Sequence, residues 1–246
     1  MSAEAPAMTN LRDRFQRVRK LIDDCALRCG RAPAEVTLIA VTKTHPVETL
    51  RQALNLGIKE FGENRVQEAE TKIDEVGRDR ARWHLIGHLQ ANKVRRAVKL
   101  FDVIHSVDSI ALAQRIDRHC VEAGRPVLPV LIQVDLAGEE TKSGIGEEDL
   151  ERLAEVIGEA ESLRLLGLMT LPPFFDDAEQ ARPYFKKLRE LRDTLQAKGY
   201  FGDASGQLSM GMTNDFEVAV EEGATMVRVG TAIFGERKPL YPAAED

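Results

Sequence analysis

Two stretches near the C-terminus decide the fold: Gln207-Leu208-Ser209-Met210-Gly211-Met212-Thr213-Asn214-Asp215 and Met226-Val227-Arg228-Val229-Gly230-Thr231-Ala232-Ile233-Phe234-Gly235. In each, a short apolar segment stops at glycine, hydroxyl residues lie close by, and a helical pattern follows. The first N–H groups of a helix have no partner inside the helix, so they bind anions. Two such junctions in succession indicate a phosphate held between two loops. A (β/α)₈ barrel usually holds one there, after its seventh and eighth strands.

The rest of the chain alternates strand and helix patterns without a linker, which predicts a parallel sheet closed as a (β/α)₈ TIM barrel. Its 246 residues are close to the roughly 250 of one such domain, so we expect a single domain over 1–246. The predicted strands are Val36–Val41, Glu60-Phe61, Trp83–Ile86, Val103–Val107, Val127–Val134, Leu163–Met169, Gln207–Met210 and Thr225–Val229. An open doubly wound sheet is the alternative, because alternation alone does not decide closure.

An extra helix is predicted before the first strand. Asn10 can cap it, with Asp13 at the capping-box position, and apolar residues then recur at helical spacing. Residues 1–9 are small and mixed, so we expect a loose tail there.

Composition and charge favour a cytoplasmic protein. The net charge of −6 gives no general affinity for nucleic acid or for anionic membranes. No apolar run approaches the ~18 residues of a membrane helix. The cysteines, Cys25, Cys29 and Cys120, lack the spacing of a disulfide scaffold, which suits a reducing compartment. We therefore expect no nucleic-acid, membrane or metal partner.

The first strand ends in Thr42-Lys43-Thr44-His45-Pro46. Strand alternation directs Lys43 into the barrel mouth, where barrel enzymes keep their chemistry. A desolvated lysine there is a nucleophilic amine suited to a Schiff base. Together, an amine and a phosphate site indicate a phosphorylated aldehyde. Pyridoxal phosphate and aldolase-type sugar phosphates both fit, so the residues alone leave the choice open.

Other strand ends carry polar groups of lower specificity. Asn64 either caps the helix after the second strand or faces the mouth. His84 and His88 could act as acid or base, although structural roles fit their apolar neighbours better. The polar loop 135–146 is either a lid or solvated surface.

Six motifs, taken together, closely resemble the pyridoxal phosphate homeostasis proteins, also called the YggS or PROSC family. They are Val41-Thr42-Lys43, Phe61-Gly62-Glu63-Asn64, His84-Leu85-Ile86-Gly87, Lys142-Ser143-Gly144-Ile145, Leu208-Ser209-Met210-Gly211-Met212 and Val227 to Gly235. The likeness runs from about Leu11 to Gly235. It implies a barrel like the N-terminal domain of alanine racemase (fold type III) that binds pyridoxal 5′-phosphate without established turnover. The implied role is to store the cofactor or deliver it to apo-enzymes, and to balance vitamin B6 and amino-acid pools.

Carried over by position, the resemblance gives each site residue a role. It implies that Lys43 forms the Schiff base, that Arg228 faces the pyridine nitrogen, and that Asn64 lies near the ring. The phosphate would be held by small and hydroxyl residues of the last two loops: Ser209, Gly211, Gly230 and Thr231. Thr213 stands where serine is common in this motif, and both carry a hydroxyl.

Arg228 bears on catalysis. Between Val227 and Val229 it faces inward, while its neighbours face the helices. Arginine keeps its proton, so a pyridine nitrogen beside it stays neutral and accepts a hydrogen bond. A neutral ring is a poorer electron sink than a pyridinium, which slows carbanion chemistry.

The competing function is a pyridoxal-phosphate-dependent amino-acid racemase. It needs a second acid or base, which racemases of this fold take from a tyrosine of an added domain. The chain ends eleven residues after Gly235, and Tyr184, Tyr200 and Tyr241 lie on a helix, at its end and in the tail. A sugar-phosphate aldolase would need another interior lysine, for which Lys59 is a weak candidate. We therefore expect a binding and delivery protein, and a monomer.

Overall fold

The structure is a computed structural model that describes residues 10–138 and 143–235. Within these ranges eight parallel strands form a closed barrel in chain order, so the predicted barrel is confirmed and the open sheet is excluded. The strands are β1 Thr37–Val41, β2 Glu60–Glu63, β3 Arg82–Leu85, β4 Val103–Val107, β5 Leu128–Gln133, β6 Leu163–Met169, β7 Gln207–Ser209 and β8 Met226–Val229. The expected tail and Tyr241 lie outside the described residues.

Helices alternate with these strands and cover the barrel. They are α1 Leu11–Arg28, α2 Val47–Asn55, α3 Val66–Val76, α4 Val94–Leu100, α5 Ile110–Glu122, α6 Glu147–Gly158, α7 Arg182–Ala197, α8 Phe216–Glu221 and α9 Thr231–Phe234. The predicted cap of α1 is confirmed, because Asn10 Oδ1 accepts the Asp13 N–H at 3.0 Å. Across the described part of the chain, no helix combines the length and apolar character that crossing a bilayer requires.

The strand bounds agree with the predictions to within two residues. The largest difference is β2, which continues to Glu63 although only Glu60-Phe61 was predicted. Gly62 weakens the sequence signal for a strand. In the structure a Cβ at Gly62 would lie 2.9 Å from Cγ2 of Ile39, so only glycine fits this crowded part of the barrel.

Apolar packing occupies two regions of unequal size. The larger region lies between strands and helices, where the rings of Phe61 and Trp83 pack at 5.6 Å. Inside the barrel, Val103, Leu131 and Met169 form a smaller cluster. Buried polar side chains also line the interior, among them His84, His105, Ser209 and Arg228. Because burying a polar group costs free energy unless it is hydrogen-bonded, the partners of these side chains matter.

Candidate functional site

Lys43 lies in the turn that follows β1 and is half-buried. The His45 N–H donates to Thr42 O at 3.0 Å and closes this turn. Thr44 adopts a φ of 66°, which is unfavourable for a β-branched residue. Its N–H donates to Glu68 Oε1 at 2.5 Å, which holds the strained conformation. The segment around Lys43 is therefore fixed at the carboxyl end of β1, and the entry of its side chain into the barrel mouth stays a prediction.

A buried ion pair lies beside this turn. Lys72 Nζ, which is 4% exposed, donates to Thr42 O at 2.6 Å and to one oxygen each of Glu63 and Glu68, both at 2.7 Å. The Thr42 hydroxyl donates to Glu63 Oε1 at 2.5 Å. All three N–H groups of the ammonium thus have acceptors, and the residue preceding Lys43 is anchored twice. Burial raises the pKa of Glu63, and Lys72 partly opposes that shift.

The loops after β7 and β8 converge on the same end of the barrel. Gly211 has a φ of +91°, and a Cβ there would lie 2.6 Å from the Ala219 side chain. A Cβ on Gly230 would lie 3.2 Å from Val41 O, so the β8 loop passes directly beside the end of β1. Thr231, which follows Gly230, is exposed. This arrangement places the backbone around Gly230 beside the end of β1, two residues before Lys43.

Arg228 is buried in the barrel wall next to β1, where Ile39 is its register partner. Its guanidinium donates to Ser209 Oγ at 2.6 Å and to Thr170 O at 2.9 Å. In residues 10–138 and 143–235 no carboxylate pairs with it, although Asp215 attracts it at longer range. Burial lowers the pKa of Arg228 to about 10, which still leaves it protonated at neutral pH.

A chain of hydrogen bonds continues from Ser209 through the barrel interior. Ser209 Oγ lies 2.9 Å from His105 Nδ1, and His105 Nε2 lies 2.9 Å from His84 Nδ1. His84 Nε2 then lies 2.6 Å from Glu60 Oε2. Burial lowers the pKa of both imidazoles, most strongly for His105, whose pKa the charge of Arg228 lowers as well. Both histidines are therefore neutral inside the barrel.

The hydroxyl of Ser209 therefore has its partners within the barrel. Sequence reasoning expected Ser209 to hold a phosphate together with Gly211, Gly230 and Thr231. In the structure the Ser209 side chain is fully buried, and its oxygen contacts Arg228 and His105. The hydroxyl links the interior to Arg228, because β7 alternation turns Ser209 inward, and its part in holding a phosphate stays a prediction.

Asn64 lines a cleft of about 670 Å³ at the ends of β2 and β3, which Glu68, His88 and Lys93 also line. The alternative role of Asn64 as a helix cap is wrong, because α3 begins at Val66 after Arg65 and has no side-chain cap. Asn64 instead packs its backbone against Gly87, where a Cβ would lie 2.4 Å from Asn64 O. This contact keeps the ends of β2 and β3 close together.

The remaining candidates separate by position. His84 is fully buried, which agrees with a structural role. His88 is exposed, and its Nδ1 lies 3.4 Å from Asp108 Oδ2 and 3.0 Å from Ser143 Oγ. Lys59 precedes β2, at the opposite end of the barrel from Lys43, so the aldolase interpretation loses its second lysine. Tyr200 donates to Glu151 at 3.4 Å on the surface.

Among the residues of these networks that sequence reasoning missed are His105, Glu60 and Lys72. The sequence could have indicated His105, because it is the one histidine of the apolar strand β4 and shares the inward face of that strand with Val103. Lys72 gave no signal, because a lysine on an amphipathic helix is ordinarily solvated.

Comparison with known proteins agrees with the barrel fold. The family model for the N-terminal domain of alanine racemase matches residues 14–238. A pyridoxal phosphate homeostasis protein of Aquifex aeolicus is 45% identical over 229 residues, covering 93% of this chain and 99% of that protein. PipY of Synechococcus elongatus, solved without PLP, is 38% identical with a TM-score of 0.82, covering 92% of this chain and 100% of that one.

Two further structures define how far the likeness extends. PipY has also been solved with PLP bound, at 37% identity and a TM-score of 0.80, with the same coverage. An alanine racemase of Clostridium difficile shares 16% identity at a TM-score of 0.74, covering 96% of this chain and 61% of the racemase, which shows a common fold.

The fold and the strand-end constellation thus define a barrel of the alanine racemase N-terminal type. Within that class, the chain belongs to the family of pyridoxal phosphate homeostasis proteins. The resemblance carried by the six sequence motifs is confirmed.

Proposed function

We propose that this protein binds pyridoxal 5′-phosphate at the barrel mouth, as a Schiff base on Lys43, and stores or delivers it to maintain vitamin B6 and amino-acid homeostasis. The observation that carries the proposal is the placement of three complementary groups on adjoining elements. Lys43 follows β1, the Gly230 loop passes beside Val41, and Arg228 is the register partner of Ile39. The names of the relatives and the PLP-bound PipY structure support it.

The residues fit the chemistry of this cofactor. When bound, it supplies an aldehyde that reacts with amines. Lys43 offers a half-buried amine at a fixed strand end. Gly211, Gly230 and Thr231 offer backbone and hydroxyl donors to a phosphate. Arg228, which is buried without a paired carboxylate in the described ranges, offers an N–H to the ring nitrogen.

Asn64 has its proposed place on the β2 side of the mouth, beside the ring. Ser209 has a modified role in the proposal: its hydroxyl orients Arg228, and the phosphate relies on the loop residues after it, including Thr213. The protein would hand over its cofactor when an incoming amine takes the place of Lys43, with apo-enzymes as recipients.

We propose a carrier without enzymatic turnover, in a cytoplasmic setting and as a monomer. Arg228 would leave the ring nitrogen of a bound cofactor unprotonated, which disfavours carbanion chemistry. A racemase would need a second acid or base, and Tyr200 is not placed to supply it. Its phenol contacts Glu151 and Glu155, on the surface formed by α6 and the end of α7. The alternative, an amino-acid racemase, would be supported instead if the loaded protein exchanged and inverted the α-hydrogen of L-alanine at about 1 s⁻¹ or faster in deuterated water.

The direct test is the site of attachment. After loading with pyridoxal phosphate and reduction with borohydride, peptide mapping should locate the pyridoxyl group on Lys43. Lys43→Ala should abolish the visible absorbance band and leave the unfolding midpoint nearly unchanged, because Lys43 lines the mouth. Lys59→Ala, at the opposite end of the barrel, is the matched control and should keep the band. A label found mainly on Lys59 or Lys142 would contradict the assignment.

A further inference from the structure

The interior hydrogen-bond chain connects the two ends of the barrel. It starts at Arg228, passes through Ser209, His105 and His84, and ends at Glu60, the first residue of β2. The inner members are almost completely buried, whereas the Glu60 side chain is 28% exposed. Glu60 borders a cleft of about 510 Å³ at the strand starts, which Phe15 and Arg19 also line.

The chemistry of the end groups fixes the direction of every hydrogen bond. Arg228 can only donate, so Ser209 Oγ accepts from it. The Ser209 hydroxyl can then donate to His105 Nδ1. A neutral His105 with that nitrogen unprotonated carries its proton on Nε2 and donates to His84 Nδ1. His84 likewise donates from Nε2 to the carboxylate of Glu60, which accepts.

The opposite direction would create a conflict at Ser209. If Glu60 donated to His84, each imidazole would carry its proton on Nδ1, and His105 would donate to Ser209 Oγ. Ser209 would then accept two hydrogen bonds, and its own proton would have to find another acceptor near the Arg228 N–H groups. An unsatisfied buried donor costs about 1–3 kcal/mol. Glu60, as a hydrogen-bond acceptor, therefore favours the direction in which Ser209 accepts from Arg228 and donates to His105.

We infer that Glu60 is a positioning residue for Arg228, acting across the barrel through His84, His105 and Ser209. The inference rests on the proposed function in one respect, namely that Arg228 faces the ring nitrogen of the cofactor. The neutral state of both imidazoles agrees with it, since burial lowers the pKa of each. Of the other charged groups, Arg82 acts on both histidines and Asp102 acts on His84.

The first test uses the protein without cofactor, so that it does not depend on the proposed function. Heteronuclear NMR of the imidazole nitrogens should show that His84 and His105 both carry their proton on Nε2. In Glu60→Gln, whose amide can donate as well as accept, a population with protons on Nδ1 should appear. Nδ1 protonation of either histidine in the parent protein would overturn the inference, as would unchanged tautomers in Glu60→Gln.

The second test measures the effect at Arg228. The affinity for pyridoxal phosphate is compared with that for its deaza analogue, in which a C–H group replaces the ring nitrogen. The parent should prefer pyridoxal phosphate by about tenfold or more, as expected for a hydrogen bond to a charged group. Glu60→Gln should reduce this preference about fivefold, the size of coupling within one hydrogen-bond network.

A matched control separates this effect from the loss of any His–Glu contact. His119 Nδ1 lies 2.7 Å from Glu122 Oε2 on the outside of α5. Glu122→Gln should leave the preference unchanged. An unchanged preference in Glu60→Gln would overturn the positioning role, and so would a parent protein that binds both compounds equally. Absence of binding to either compound would instead contradict the proposed function, while the NMR result still decides the direction of the chain.

Discussion

Among the residues that the structure describes, two buried cations lie near the carboxyl ends of the strands, and their surroundings differ. Lys72 donates to two carboxylates and one carbonyl, so its charge is compensated. Arg228 donates to a hydroxyl and a carbonyl, and no carboxylate in the described residues pairs with it. A compensated cation joins parts of the fold, whereas a buried cation with only neutral partners keeps its field available to a ligand. The contrast supports a structural role for Lys72 and a binding role for Arg228.

The largest effect should come from breaking the compensated pair. Lys72→Met leaves the buried carboxylate of Glu63 without its cation, and removing one partner of a buried ion pair costs about 3–5 kcal/mol. Urea unfolding should show this loss. Lys20→Met is the control, because Lys20 pairs with Asp24 at 2.6 Å on the exposed face of α1; such a pair contributes about 0–1 kcal/mol. Equal losses in the two variants would refute the structural role.

The same variant has a pH signature. Burial raises the pKa of Glu63 above its ordinary value of 4.5, and Lys72 opposes the shift. A carboxyl group with a raised pKa favours the folded state below its unfolded pKa, and this contribution is lost as pH rises through the folded pKa. Lys72→Met raises the folded pKa further, so the stability deficit should be largest at neutral pH and shrink toward pH ~4. A deficit independent of pH would contradict this account.

Removing the other cation should affect binding more than folding. Arg228→Met loses two hydrogen bonds but relieves the cost of burying a charge, so the free energy of unfolding should change by less than about 1.5 kcal/mol. Affinity for pyridoxal phosphate should fall by the equivalent of about 1.5–3 kcal/mol.

The matched control for this comparison is Arg125→Met. Arg125 also donates to carbonyls, those of Val98 and Phe101 at 2.6 and 2.7 Å, but it lies beyond α5, at the barrel exterior. Its replacement should leave the cofactor affinity unchanged. If Arg228→Met destabilised the protein as much as Lys72→Met does, the proposed difference between the two cations would not hold.

The two networks also show what the sequence could and could not predict. The succession of strand and helix patterns was enough to predict a parallel sheet but left its closure open. Side-chain alternation was enough to predict the inward direction of Arg228, because the face of a strand residue depends only on local geometry; the direction of the Lys43 side chain stays a prediction. The partners of these residues depend on tertiary contacts. His105 and Ser209 are 104 positions apart in the chain, and no local pattern links them.

Lys72 and Ser209 show two different reasons why the sequence did not reveal the contacts of a side chain. Lys72 lies on an amphipathic helix, where the periodicity separates polar from apolar residues but does not reveal that a polar one is buried against Glu63. Ser209 belongs to a motif whose role was carried over as phosphate binding. Its hydroxyl has a different environment in the structure because Arg228 and His105 converge on it.

The smallest predicted effect tests Ser209 itself. Ser209→Ala removes an acceptor of Arg228 and a partner of His105, so the free energy of unfolding should fall by about 1–2 kcal/mol. If the hydroxyl acts through Arg228, the affinities for pyridoxal phosphate and for pyridoxal should fall by the same factor. Thr231→Ala, at the exposed start of α9, should weaken only the phosphorylated compound. A selective loss for pyridoxal phosphate in Ser209→Ala would instead make its hydroxyl a phosphate donor, and Arg228 would then depend on Thr170 O alone for its orientation.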